Sequence, residues 1–132
     1  DCDVLQADGG TRTAAVSGGF VALFDALRFL RKQGAFSVLP LRFFLSAVSV
    51  GLVAGSPLLD LCYREDSAAE VDMNVVMNHR GEYVEIQGTG EGSVFTGADL
   101  SRLLLLASKG TLEIIEFQKE ALGIEDGERS FS

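Results

Sequence analysis

Apolar residues recur at steps of four and three from Val16 through Phe20, Leu23, Leu27 and Leu30. That spacing predicts a helix over 11–33. Gly34 then suits the position just past its end. Gly18 and Gly19 lie inside this helix and each costs about 1 kcal/mol relative to Ala. The expected compensation is close packing against a sheet or a neighbouring subunit. Ahead of the helix, 1–7 reads as a strand carrying Val4 and Leu5. Beyond it, 35–45 is a connector broken by Pro40, and Val48, Val50 and Val53 predict a strand over 46–54. A Gly55-Ser56 turn and a strand over 58–63 make this a hairpin.

The same alternation predicts strands over 72–78 and 83–87, joined by a turn at 79–82 and followed by a glycine-rich exit at 88–92. An irregular acidic stretch with one helical turn precedes them. Thr96 with Asp99 three residues on forms a capping box. It opens a last helix over 97–122, with Leu100, Leu103, Leu104, Ala107, Ile114 and Ile115 on its apolar face. Leu103 to Leu106 reads as core. The polar end, 123–132, reads as a disordered tail. The order β-α-β-β-β-β-α implies an α/β chain of α+β type. Two layers are expected: a mixed, mostly antiparallel sheet covered by two long helices.

Composition narrows what such a domain does. At 132 residues and 47% apolar, the chain folds as one domain with a modest core. Nineteen acidic against 11 basic residues give a net charge of −8, which argues against self-sufficient nucleic-acid binding. If RNA is the substrate, most of the basic surface comes from elsewhere. Cys2 and Cys62 make no disulfide framework; both lie in strand-like runs and read as buried thiols in a reducing, cytoplasmic compartment. The uncharged run 43–59 is interrupted by serine, glycine and proline, so it reads as paired strands rather than a membrane span. The chain lacks an initiator Met and begins directly in a strand-like run, which leads us to expect a piece of a longer polypeptide.

Two stretches carry candidate chemistry. Asp8-Gly9-Gly10-Thr11-Arg12-Thr13 opens the first helix. Backbone N–H groups and the helix dipole favour an anion there, and Arg12, Thr11 and Thr13 add side-chain donors. On pattern alone, an ordinary turn with one solvated Arg is the commoner explanation. The second stretch, 65–72, places four carboxylates in eight positions. Asp66 and Asp72 suit a magnesium ion, which takes one or two carboxylates with waters and substrate phosphate. A solvated acidic loop is again the commoner explanation. Glu65 and Glu70 are weaker candidates, and Asn74 shares a strand face with Asp72. His79 is the lone histidine and reads as a surface turn residue, so no Ser-His-Asp or Cys-His arrangement is available.

These residues resemble ribonuclease PH, the phosphorolytic 3′-to-5′ exoribonuclease family. The likeness runs through DCDVLQADGGTRTA (1–14), AVSVGLV (47–53), LDLCYREDSAAEVDMNVVM (59–77), EIQGTGEG (85–92) and ASKGTLEIIEFQKEAL (107–122), nearly the whole chain. The wording DMNVVM is closer to the bacterial enzyme than to exosome subunits. Two departures, Cys62 and the segment 36–45, touch packing more than chemistry. The resemblance implies that 1–122 forms the C-terminal half of such an enzyme. It gives phosphate binding to Gly10, Thr11, Arg12 and Thr13, and the catalytic, metal-associated role to Asp66 and Asp72. It further implies Mg²⁺ as cofactor, inorganic phosphate as co-substrate, transfer RNA precursors as substrates and release of nucleoside diphosphates. The expected partners are RNA, an N-terminal half of the same polypeptide and a hexameric ring built as a trimer of dimers. The alternatives are a non-catalytic, RNA-binding ring subunit of an exosome-like assembly, or a fragment inactive without its other half.

Overall fold

A computed structural model describes residues 1–124. Helix α1 spans Thr11–Lys32, strand β1 Leu45–Val53, strand β2 Ser56–Leu59, helix α2 Tyr63–Asp66, strand β3 Val71–Asn78, strand β4 Tyr83–Gly90 and helix α3 Gly97–Leu122. The four strands form one sheet in the order β2-β1-β3-β4, with every neighbouring pair antiparallel. The architecture is therefore α+β, with a wholly antiparallel sheet where a mixed one was expected.

Alternation along β1 and β3 sorts the sheet into two chemically different faces. Val48, Val50 and Leu52 pair with or neighbour Val71, Met73 and Val75, and this apolar face packs under Leu103 and Ala107 of α3. Each such fully buried side chain contributes about 1.5–3 kcal/mol relative to exposure. The other face carries Ser49, Gly51, Asp72 and Asn74. Helix α3 starts where Thr96 accepts from the Asp99 N–H and Asp99 answers to the Thr96 N–H. It ends at Gly123, whose left-handed conformation turns Ile124 back onto the Phe20–Phe24–Phe44 cluster. Gly123 and Ile124 are thus structured, against the expected tail; 125–132 lie outside the described residues.

Helix α1 seals a gap in the sheet. β2 pairs with β1 only from Val50 onward, leaving the first half of that β1 edge without a strand. Ser17 fills the place of a strand: its hydroxyl accepts from the Ala47 N–H at 3.0 Å and donates to the Ala47 carbonyl. Gln118 of α3 donates to the Leu45 carbonyl and to Ser17 O, both at 2.9 Å. Side chains thereby satisfy an edge that would otherwise invite intermolecular pairing. By length and apolar content α1 passes for a membrane-crossing helix; here it is anchored through Ser17, Phe20 and Phe24.

Several sequence expectations yield to these tertiary contacts. Residues 1–7 form no strand, and among the described residues no strand pairs with them. The buried stripe of α1 is Thr13, Phe20 and Phe24, whereas Leu23 and Leu30 are exposed. Gly18 packs against nothing within 4 Å of a notional Cβ, and Gly19 meets only the Cys2 sulfur at 3.9 Å. Among the described residues, then, neither glycine is explained by close packing. Cys2 is exposed and Cys62 half-buried, the latter capping α2 rather than lying in a strand. The strand expected over 58–63 ends at Leu59, and β4 continues to Gly90 because β3 pairs with it throughout. His79 is half-buried, and its Nδ1 accepts from the Phe44 N–H.

Candidate active site

The glycines of the first turn are demanded by what lies beneath them. A Cβ on Gly9 would stand 1.9 Å from the Leu61 carbonyl oxygen. Gly10 has φ 68°, in the left-handed region, and precedes the helix without a side-chain cap. The N–H groups of Thr11, Arg12 and Thr13 therefore have no acceptor within the helix, and no acidic side chain sits in its first turn. Thr13 is buried, and its hydroxyl donates to the Gly10 carbonyl at 2.9 Å. Its side chain braces the turn from behind and does not line the cleft described below.

One hydrogen bond ties the acidic stretch to that turn, and others fix it to β1 and to itself. Asp8 accepts from the Tyr63 N–H at 2.7 Å, capping α2 from outside. Ser49 Oγ accepts from the Leu61 N–H, and its carbonyl accepts from the Asp60 N–H. Glu65 reaches back to the Cys62 N–H at 2.9 Å, closing a capping box on the four-residue α2. These bonds fix the last residue of α2, Asp66, near the start of β3.

The result is one small cleft of about 160 Å³ lined by Gly10, Thr11, Arg12, Ser49, Asp66, Asp72 and Asn74. Two candidate motifs more than fifty residues apart in sequence thus share a wall. Its floor is ordered by strand register. Ser49, Asn74 and Gln87 lie side by side across β1, β3 and β4, and Gly51, Asp72 and Thr89 form the next row. Arg12 ends on β4, with Nη2 2.6 Å from Glu85 Oε1 and Nη1 3.0 Å from Gln87 Oε1. Asn74 donates to the same Gln87 oxygen at 3.4 Å.

Electrostatics mark Asp72 as the strained member. Burial pushes its carboxyl above the ordinary carboxylate value, and the charges of Asp66 and Glu91 push the same way, against a lowering hydrogen bond from the Met73 N–H. A half-buried carboxylate facing a second one is what a divalent cation relieves. Among the described residues no group of three His, Cys, Asp or Glu side chains converges on one point. The cleft offers the carboxylates of Asp66 and Asp72, and two carboxylates are the kind of donors that Mg²⁺ completes with water and substrate oxygens.

The decisive comparison is with a family model described as the 3′ exoribonuclease family, domain 2, which matches residues 44–110. This chain belongs to that family. It is 56% identical over 124 residues to ribonuclease PH of Syntrophomonas wolfei and 60% identical over 124 residues to ribonuclease PH of Corynebacterium efficiens. Each alignment covers 94% of this chain but only 52% and 51% of those proteins. The chain spans about half the length of the curated relatives it matches. The crystal structure of rice (Oryza sativa) Rrp46 superposes with a TM-score of 0.69 at 21% identity, over 91% of this chain and 51% of that one. At that identity the likeness establishes the fold. The family's domain 2 thus includes the β1 floor and the Asp66–Asp72 wall, while the Arg12 turn precedes the matched span.

Sequence reading missed Ser49, Glu85 and Gln87. Strand alternation does place Glu85 and Gln87 opposite Val84 and Ile86, and Ser49 opposite Val48 and Val50. Which of these rows meets Arg12 depends on strand pairing, which no local pattern encodes.

Proposed function

We propose that this chain carries one wall of the active site of a phosphorolytic 3′-to-5′ exoribonuclease. The observation that carries the reading is the shared cleft: an anion-binding helix start and two carboxylates within one pocket. Close relatives named ribonuclease PH support it. In the proposed reaction an oxygen of inorganic phosphate attacks the phosphorus of the terminal phosphodiester. A new P–O bond forms as the bond to the 3′ oxygen of the penultimate nucleotide breaks. That oxygen takes a proton, and a nucleoside diphosphate leaves.

Phosphate is itself the nucleophile, so no activated Ser, Cys or His is required. The protein's task is to hold two anions that repel each other in line. The N–H groups of Thr11, Arg12 and Thr13 and the Arg12 guanidinium offset the attacker's charge. Asp66 and Asp72 would hold Mg²⁺, which supplies positive charge to the transferring group and leaving oxygen. Asn74 lines the same cleft, and this reading gives it a contact to RNA or metal-bound water.

The natural substrates of this reading are the 3′ ends of transfer RNA precursors. The partners are an N-terminal half contributing basic surface and a hexameric ring. Exposed apolar side chains such as Leu23, Phe29 and Leu105 are the type of surface that such contacts bury. In the full-length polypeptide, Asp72→Asn is expected to abolish phosphate-dependent release of nucleoside diphosphates from RNA. Release at the wild-type rate would sink the assignment.

A further inference from the structure

Among the described residues Arg12 is the one cation lining the cleft, and its charge is already engaged. Nη2 lies 2.6 Å from Glu85 Oε1, and Nη1 donates to Gln87 Oε1. Both partners stand on β4, on the same sheet face as Asp72 and Asn74. Around this single guanidinium the site gathers the carboxylates of Asp66, Asp72 and Glu85, with the charge of Glu91 felt at Asp72. With Glu85 in contact, the Arg12 fork presents an anion with a neutralised pair instead of a free cation. Both side chains are about half exposed, so the pair is weak enough to exchange. A phosphate dianion, also held by the N–H groups of the α1 turn, outcompetes one carboxylate for the fork.

Resting on the phosphate-binding reading of Arg12 above, we propose that Glu85 is a built-in competitor for phosphate. It latches the Arg12 guanidinium onto β4, and inorganic phosphate must displace it. Gln87 is the neutral half of the latch and holds the fork to β4 through Nη1. Glu85 is accordingly a residue that sets phosphate affinity through Arg12, and it takes no part in bond making. Its effect on apparent affinity is that of a binding-competent form populated only in part.

The test uses the full-length polypeptide and inorganic phosphate as probe. Phosphate binding is measured by calorimetry without RNA, and the phosphate dependence of nucleoside diphosphate release is measured at saturating RNA. Glu85→Gln is expected to tighten phosphate about two- to fivefold in both measurements, with half-saturation for RNA unchanged. Glu85→Ala is expected to shift phosphate the same way, which guards against a folding defect in either variant. In an Arg12→Ala background, Glu85→Gln should change phosphate binding by less than about twofold, because the latch has lost its other half. Unchanged or weaker phosphate binding in both Glu85 variants overturns the latch, as does a full-sized effect without Arg12. The two readings separate cleanly. Wild-type protein that releases diphosphates with no Glu85 effect refutes the latch alone. Tighter phosphate binding without any diphosphate release refutes the enzymatic reading and leaves the latch standing.

Discussion

Gly9 is the position where one methyl group should undo the site. A Cβ there would lie 1.9 Å from the Leu61 carbonyl oxygen and 2.9 Å from the Cys62 carbonyl carbon. Ordinary contact begins at 3.4 Å, so the overlap with the oxygen is about 1.5 Å. Both obstacles are backbone atoms, and no rotamer change relieves them. The turn and the 61–62 segment must separate, which breaks the 2.7 Å bond from the Tyr63 N–H to Asp8. A hydrogen bond to a charged group is worth about 1.5–3 kcal/mol, and backbone strain adds to it. Gly9→Ala should therefore destabilise by about 2–4 kcal/mol. It also moves Arg12 away from Asp66 and Asp72, and a displacement of about 1 Å costs on the order of 100-fold in rate. Thermal melting and phosphate-dependent diphosphate release by the full-length polypeptide read both effects. Gly18→Ala is the control: it is exposed in α1, meets nothing within 4 Å, and should stabilise by about 0.5–1 kcal/mol. A Gly9→Ala protein that melts and turns over like wild type would refute the claim that this backbone contact sets the cleft.

Asp72→Asn should raise the melting temperature at pH 7 even as it removes activity. The Asp72 carboxyl is raised above its ordinary 3.8 by burial first and by Asp66 next. A group held protonated more tightly when folded stabilises fully below its unfolded pKa, and that contribution is lost as pH rises through the folded value. The wild type therefore carries a penalty at neutral pH that the amide lacks, and the difference in melting temperature should shrink toward pH 4; a pH-independent difference would contradict it. Gln118→Leu removes the donor shared by the Leu45 and Ser17 carbonyls at a buried position. Since Ser17 O keeps its helical partner, the loss is about 2 kcal/mol, mainly the stranded Leu45 carbonyl. A denaturant midpoint unchanged from wild type would show that this edge is satisfied in another way.

What was legible locally came out of the chain with little help. Helix α3 runs over the range its capping box and apolar face mark, because Thr96, Asp99 and the leucines act within one or two turns of each other. β1 and β3 follow from period-two alternation for the same reason. The helix α1 is present as expected, but its buried side is Thr13–Phe20–Phe24, since the open edge of β1 and the ring of Phe44 selected the face. Residues 1–7 have strand-like composition, yet a strand exists only where another strand pairs with it. The two halves of the cleft were each visible as motifs, and their residue types already implied an anion and a cation. Their meeting was decided elsewhere: by the missing Cβ of Gly9 against Leu61, by Asp8 capping α2, and by the register that lines up Ser49, Asn74 and Gln87. Hydrogen bonds and apolar periods act over a few residues and are written in sequence order. Strand register and the approach of two loops are sums over distant contacts, and only the folded chain evaluates them.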